Sequence, residues 1–222
     1  MDLRKIRAVL FDLDGTLLDT LGDICTSLNI TMRRFGYPEL TIETCRKLIC
    51  TGVRMLIKGA LPGSVSDEML DEVLSAYQQI YTEHCADHSK PYPGAAAILR
   101  ALTEGGYRVG LITNKVQENA EYLMRVNFPE MNFALIWGNN GVRPLKPSPD
   151  SGRQACRTLD LRPEEILFIG DGETDITFAR NNGFTACGVT WGYRDPDILR
   201  RLGADMMIDS FDALADALDL PQ

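Results

Sequence analysis

The chain has no apolar run near the roughly 20 residues that a membrane helix needs, so no α-helical membrane span is expected. It has no Cys-x-x-Cys pair. Its six cysteines, Cys25, Cys45, Cys50, Cys85, Cys156 and Cys187, are scattered, which argues against a zinc site or a disulfide framework and for reduced thiols packed in a cytoplasmic protein. No small-residue cleavage site follows the stretch from Met1 to Arg7, so no signal peptide is expected. Internal repeats and low-complexity segments are absent as well. Positive charge is scarce: 23 Lys and Arg face 31 Asp and Glu, for a formal net charge of −8. Such a surface argues against nucleic acid or an anionic membrane as the main partner. Any phosphate ester bound here would need positive charge concentrated locally, against the global balance.

What is present suffices for a globular enzyme. The 222 residues are 45% hydrophobic and 24% charged, enough to bury a sizeable core and too apolar for disorder. Short apolar runs at Ala8–Phe11, Arg108–Ile112, Phe133–Trp137 and Ile166–Ile169 read as buried strands, with a fifth at Thr185–Val189. Amphipathic segments lie between most of them, which predicts right-handed crossovers and a mostly parallel, doubly wound α/β sheet of Rossmann-like form. Ser148 followed by Pro149 predicts a helix N-cap, Gly105-Gly106 a helix end, and Gly183 another. From about Asp19 to Cys85 strand signals disappear and helical ones take over. Leu70, Val73, Leu74, Tyr77 and Tyr81 recur at helical spacing behind an N-cap at Ser66, a stripe expected to serve packing. The stretch is too long for an ordinary connection. It predicts an inserted helical domain over residues 19–85, with residues 1–18 and 86–222 forming the core and His88–Gly94 the return linker.

Chemistry gathers at the ends of the strands. The first runs into Asp12, the second into Thr113-Asn114-Lys115, the fourth into Gly170-Asp171. In an open parallel sheet, ligands bind at the carboxyl ends of the strands, so these groups are expected in one crevice. Asp12 and Asp14, two residues apart, repel unless a cation lies between them or one is protonated; a hard divalent cation such as Mg2+ suits an all-oxygen pair, although an Asx-turn explains the pair equally well. Asp171 and Asp175 allow the same two readings, metal ligation or acids in the first turn of a helix. Lys146 stands among Pro144, Pro147 and Pro149, in a loop stiff enough to aim its ammonium at a phosphate. Thr113 and Asn114 offer a hydroxyl, an amide and backbone N–H groups to phosphate oxygens.

Taken together and in order, Asp12-Leu13-Asp14-Gly15-Thr16-Leu17-Leu18-Asp19-Thr20, Leu111-Ile112-Thr113-Asn114-Lys115, Lys146-Pro147, and Gly170-Asp171 with Asp175 resemble the haloacid dehalogenase superfamily. The inserted helices resemble that superfamily's α-helical cap. Leu17–Thr20 and Tyr92-Pro93-Gly94 are similar to its phosphoglycolate phosphatase group. The resemblance implies a Mg2+-dependent phosphatase acting on a small phosphorylated metabolite through an aspartyl-phosphate on Asp12, with Asp14 as general acid and base. It implies Mg2+ ligation by Asp12, the Asp14 backbone carbonyl and Asp171, with Asp175 nearby, and phosphate binding by Thr113, Asn114 and Lys146. An aspartate at position 14 favours phosphate esters or anhydrides over dehalogenation. In the cap, Thr51–Lys58 is the candidate reading segment, with Arg54 expected at the substrate; it has one glycine where that group often has a spaced pair. The leading substrate is 2-phosphoglycolate; pyrophosphate, nucleoside monophosphates, a sugar phosphomutase on the same scaffold and a non-catalytic binding protein are the alternatives. Trp191-Gly192-Tyr193-Arg194 also resembles that group and is expected in a loop at the rim.

Overall fold

The computed structural model describes residues 2–49 and 52–220; Cys50 and Thr51, named above, lie outside them. In chain order the elements are β1 (Ala8–Phe11), β2 (Leu18–Asp19), α1 (Leu21–Arg34), α2 (Ile42–Leu48), α3 (Val53–Ala60), α4 (Asp67–His84), β3 (Lys90–Pro91), α5 (Ala95–Glu104), β4 (Arg108–Val116), α6 (Gln117–Asn127), β5 (Leu135–Asn139), α7 (Asp150–Leu159), β6 (Ile166–Gly170), α8 (Glu173–Asn182), β7 (Thr185–Val189), α9 (Pro196–Arg201), β8 (Met206–Ile208) and α10 (Phe211–Ala217). Two single turns of 3-10 helix, Leu3–Lys5 and Pro163–Glu165, complete the list.

Six strands form one parallel sheet in the order β5-β4-β1-β6-β7-β8. The expected doubly wound sheet is therefore present. β1 has a neighbour on each side and all four of its residues are buried, as a run of Ala, Val, Leu and Phe requires when helices cover both faces. The chain winds outward from β1 to β4 and β5, then returns to β6 beside β1 and winds the other way. The reversal opens a crevice at the carboxyl ends of β1, β4 and β6.

Strand boundaries differ from expectation where polarity hid them. β4 continues past Ile112 to Val116, because Val116 pairs with Asn139 beyond a local irregularity in register. Its polar tail, Thr113-Asn114-Lys115, carries no apolar signature yet is strand. β5 begins at Leu135 rather than Phe133, whose side chain packs on the core without joining the ladder. β2, β3 and β8 are too short to show a period. Pro149, not Ser148, occupies the N-cap of α7; Ser148 instead donates to the Asp150 carboxylate in the first turn. Gly105 and Gly183 end their helices as expected, and Ser66 caps α4 by accepting from the Met69 N–H.

The helices α1 to α4 pack on one another over the crevice. Leu28, Met32, Ile57 and Val73 are fully buried between them, each apolar side chain contributing about 1.5–3 kcal/mol. One apolar cluster runs without a break from Val9 and Phe11 through Leu13 and Leu17 into these helices. The two crossings between sheet and helices lie side by side, because Leu18 pairs with Pro91 and Asp19 with Lys90 in an antiparallel ladder. Asp23, 1% exposed, secures the return: its carboxylate accepts from the His88 N–H, the Ser89 N–H and the Ser89 hydroxyl at 2.7–3.0 Å. The five described cysteines carry no disulfide, and no described helix is long and apolar enough to cross a membrane.

Asp23→Ala strands these three donors. A loss of about 1–3 kcal/mol in unfolding free energy is expected from urea denaturation, whereas Asp87→Ala, on the exposed side of the same turn, should change stability by less than about 0.5 kcal/mol.

Candidate active site

Asp12 is delivered by β1, whose ladder continues through the Asp12 N–H to the Ile169 carbonyl at 2.8 Å. The chain then turns sharply: the Leu13 carbonyl accepts from the N–H groups of Thr16, Leu17 and Leu18, and Gly15 takes a left-handed φ of 80°. This turn brings Asp14 back beside Asp12. β6 delivers Asp171, and the first turn of α8 delivers Asp175, whose Oδ2 accepts from the Gly172 N–H at 2.9 Å. Carboxylate oxygens of Asp12, Asp171 and Asp175 lie within 4.8 Å of one another.

Lys146 stands at the centre of this group. Its ammonium is 2% exposed, 2.9 Å from Asp12 Oδ1 and 2.7 Å from Asp175 Oδ1, over the ring of Phe168. Burial alone disfavours the charge, but the two carboxylates outweigh it and raise the pKa, so the lysine stays an ammonium. The loop that carries it is clamped to β4 by Asn114: the Lys146 N–H donates to Asn114 Oδ1 at 2.8 Å, and Asn114 Nδ2 donates to the Lys146 carbonyl at 3.0 Å. The expected amide of Asn114 is thus already engaged in aiming Lys146.

Lys115 is the residue that sequence reasoning passed over. Its ammonium, 5% exposed, lies 2.7 Å from Asp14 Oδ1 and 4.6 Å above the Tyr81 ring. Thr20 Oγ1 donates to the same Asp14 oxygen at 2.6 Å. The signal for Lys115 was its place two residues after Thr113 in what proves to be strand. Tyr193, expected in a loop at the rim, also holds the site in place. Its N–H donates to Asp171 Oδ2 at 2.7 Å, and its hydroxyl accepts from the Thr20 N–H at 2.8 Å, so the rim loop fixes both Asp171 and the entry to α1. Gly192 and Gly15 press on Asp171 from two sides; a methyl group at either would collide with its side chain.

The carboxylates and ammonium groups face one cavity, bounded below by Asp12, Asp14, Thr113, Lys115, Lys146, Asp171 and Asp175 and above by Ile24, Val53, Leu56, Tyr77, Gln78 and Tyr81. Tyr77 and Tyr81, expected only to pack, stack their rings 5.6 Å apart and also wall the cavity. Arg54 is not brought to it. Its guanidinium pairs with Asp71 and Asp67 on α4, and it is absent from the lining.

Four carboxyl groups here face two ammonium groups, an excess of two negative charges when all are ionised. Burial pushes Asp12 up to about 6, against the attraction of Lys146 and with the repulsion of Asp175 and Asp14; burial likewise raises Asp171 well above the carboxylate range. Among the described residues, Asp12 Oδ1 has no partner beyond Lys146, and Asp171 has no cationic partner within salt-bridge range. An all-oxygen donor set with this charge excess fits one hard divalent cation, and the cradle of Gly15 and Gly192 around Asp171 fits a ligand held in one orientation.

A profile of the haloacid dehalogenase-like hydrolases matches residues 9–189. The chain belongs to that family. It is 33% identical to the N-acetylmuramic acid 6-phosphate phosphatase of Pseudomonas aeruginosa, with 99% of this chain and 97% of that protein covered. It is 31% identical to the phosphoglycolate phosphatase of Nitrosospira multiformis, with 92% of each covered. Among solved structures it is similar to CbbY from Rhodobacter sphaeroides in complex with phosphate, at a TM-score of 0.83 and 27% identity, with 97% of this chain and all of that one covered. The protein is a phosphoric monoester hydrolase of the phosphoglycolate phosphatase-like group.

The raised carboxylates set a pH dependence. With Asp12 at about 6 in the fold against 3.8 when free, the folded state holds more protons than the unfolded one between those values. Stability therefore falls as pH rises through that window. In metal-free buffer the urea midpoint should be lower at pH 7 than at pH 5. Asp171→Asn, which removes a second carboxyl that burial makes readier to hold a proton, should narrow that difference.

Proposed function

We propose that the protein is a Mg2+-dependent phosphatase that hydrolyses the phosphate monoester of a hydroxy acid through an aspartyl-phosphate on Asp12. The observation that supports it most strongly is the fully buried Lys146 ammonium held between Asp12 and Asp175 at the end of β1. This arrangement places a fixed positive charge against the oxygen expected to attack phosphorus.

In this reading Asp12 attacks phosphorus, a new Asp–O–P bond forms, and the ester P–O bond breaks. Asp14 gives its proton to the departing oxygen, then takes one from the water that hydrolyses the aspartyl-phosphate. Lys115 and Thr20 both hold Asp14 through Oδ1, which leaves Oδ2 for that proton. The Thr113 hydroxyl, the Asn114 N–H and Lys146 hold phosphate oxygens. Asp12, Asp171 and the Asp14 carbonyl would hold Mg2+, which would supply compensation for the negative charge of the phosphate and its surrounding carboxylates. Both oxygens of Asp175 are committed, to Lys146 and to the Gly172 N–H, so its role is to orient Lys146. Residues 19–85 form the cap domain, whose helices α1, α3 and α4 roof the cavity and exclude water during transfer.

The substrate is narrowed by kinship. Both phosphatases named above act, by their names, on phosphate esters of hydroxy acids. A sugar-sized hydroxy acid phosphate therefore ranks with 2-phosphoglycolate, ahead of pyrophosphate.

Phosphate release measured with Mg2+ over a panel of phosphorylated metabolites tests this reading. Asp12→Asn should lower turnover by at least about a thousandfold while leaving the circular dichroism spectrum unchanged. Retained turnover in that variant would remove Asp12 as nucleophile. Conversion of a sugar phosphate to its isomer with little phosphate released would mark a mutase instead.

A further inference from the structure

We propose that Lys115 is a specificity-determining residue: with Tyr81, Gln78 and Asn119 it forms a leaving-group subsite in which its ammonium binds the carboxylate of the substrate. The proposal rests on the phosphatase reading and deepens it by assigning the group that recognises the hydroxy acid.

The placement comes first. Thr113 and Lys115 are both buried, both line the cavity, and stand two residues apart on β4. An advance of two residues along a strand is about 7 Å. If Thr113 meets the phosphate, Lys115 stands farther out along the same strand, where the rest of the ester must lie.

The second argument is coordination. A lysine ammonium carries three donors. Lys146 spends its charge on two carboxylates. Lys115 has one described acceptor, Asp14 Oδ1, and otherwise rests on the Tyr81 ring face. A lysine side chain 5% exposed with so few acceptors is costly to hold in a fold, since buried lysines are ordinarily paired and fully hydrogen-bonded. A substrate carboxylate arriving from the cavity would complete its shell.

The third is the wall itself. Tyr81 is 4% exposed and lines the cavity, and its hydroxyl has no hydrogen-bond partner among the described residues. A buried hydroxyl without a partner is uncommon and marks a place where a ligand can supply one. Gln78 and Asn119 add amides to the same lining, while Ile24, Val53 and Leu56 supply apolar surface for the carbon skeleton between the two anionic ends. The side chains that the helices contribute to the lining, Ile24, Val53, Leu56, Tyr77, Gln78 and Tyr81, are all uncharged; the carboxylates nearest Tyr81 are Asp14, which Lys115 pairs, and Asp23, which the backbone of His88 and Ser89 holds.

The test compares matched esters with and without the carboxylate: 2-phosphoglycolate against 2-hydroxyethyl phosphate, and N-acetylmuramic acid 6-phosphate against N-acetylglucosamine 6-phosphate. For at least one pair the unaltered enzyme should favour the acid in kcat/KM by tenfold or more. In Lys115→Met that ratio should fall by about 10- to 100-fold, chiefly through KM. Tyr81→Phe, which keeps the ring under Lys115, should lower the same ratio less. Equal losses on both members of each pair, or no preference in the unaltered enzyme, would overturn the proposal and leave Lys115 serving Asp14 alone. Absence of turnover on every ester would defeat the phosphatase reading rather than this one. Calorimetry then decides, with the Asp12→Asn protein titrated with each intact ester. Weaker binding of only the acid when Lys115→Met is added supports the subsite, and unchanged relative affinity refutes it.

Discussion

The site depends on one buried ammonium. Lys146 is almost inaccessible to solvent, and it can remain charged there only because Asp12 and Asp175 stand within 3 Å of it. The dependence runs both ways. Asp12, Asp171 and Asp175 lie close enough to repel one another, and without Lys146 three carboxylates would share a pocket with no fixed cation among them. The sheet order, the clamp of Asn114 on the Lys146 loop and the cap at Gly172 all hold that lysine in register with β1.

The acidity of the whole chain is resolved by the same arrangement. A net charge of −8 gives no general attraction for phosphate. Two ammonium groups, Lys115 and Lys146, are instead buried at opposite parts of one cavity floor, where the surrounding low polarisability makes each count for more than a surface lysine. The remaining negative excess is what a divalent cation would offset. Positive charge is thus supplied locally by fixed groups, and the acidic exterior is free to serve solubility.

The sheet, its parallel sense and the convergence of Asp12, Thr113, Lys146 and Asp171 were legible because buried strands between helices leave apolar runs and because ligands collect at their carboxyl ends. What stayed hidden shares a physical cause. The tail of β4 is polar, so Lys115 read as loop although it is strand, and its importance comes from Asp14, a hundred residues away in sequence. Asn114 and Tyr193 act through backbone groups of distant segments, a kind of contact no side-chain pattern announces. Arg54 was drawn to α4 because Asp67 and Asp71, one helical turn apart, offer it two carboxylates at the surface. Tyr77 and Tyr81 fitted a packing stripe and do pack, but one edge of that stripe is also a ligand wall.

The paired crossings at Leu18–Asp19 and Lys90–Pro91 bear on how such a protein can change over time. Seen from the sheet, everything between them is a closed loop that leaves and returns at one spot. The entropy of closing a loop grows only with the logarithm of its length. Helices in that loop can therefore be lengthened, shortened or exchanged with little strain on the floor beneath, where the carboxylates and Lys146 keep their places. The floor supplies a transferable reaction, and the roof becomes the part open to invention.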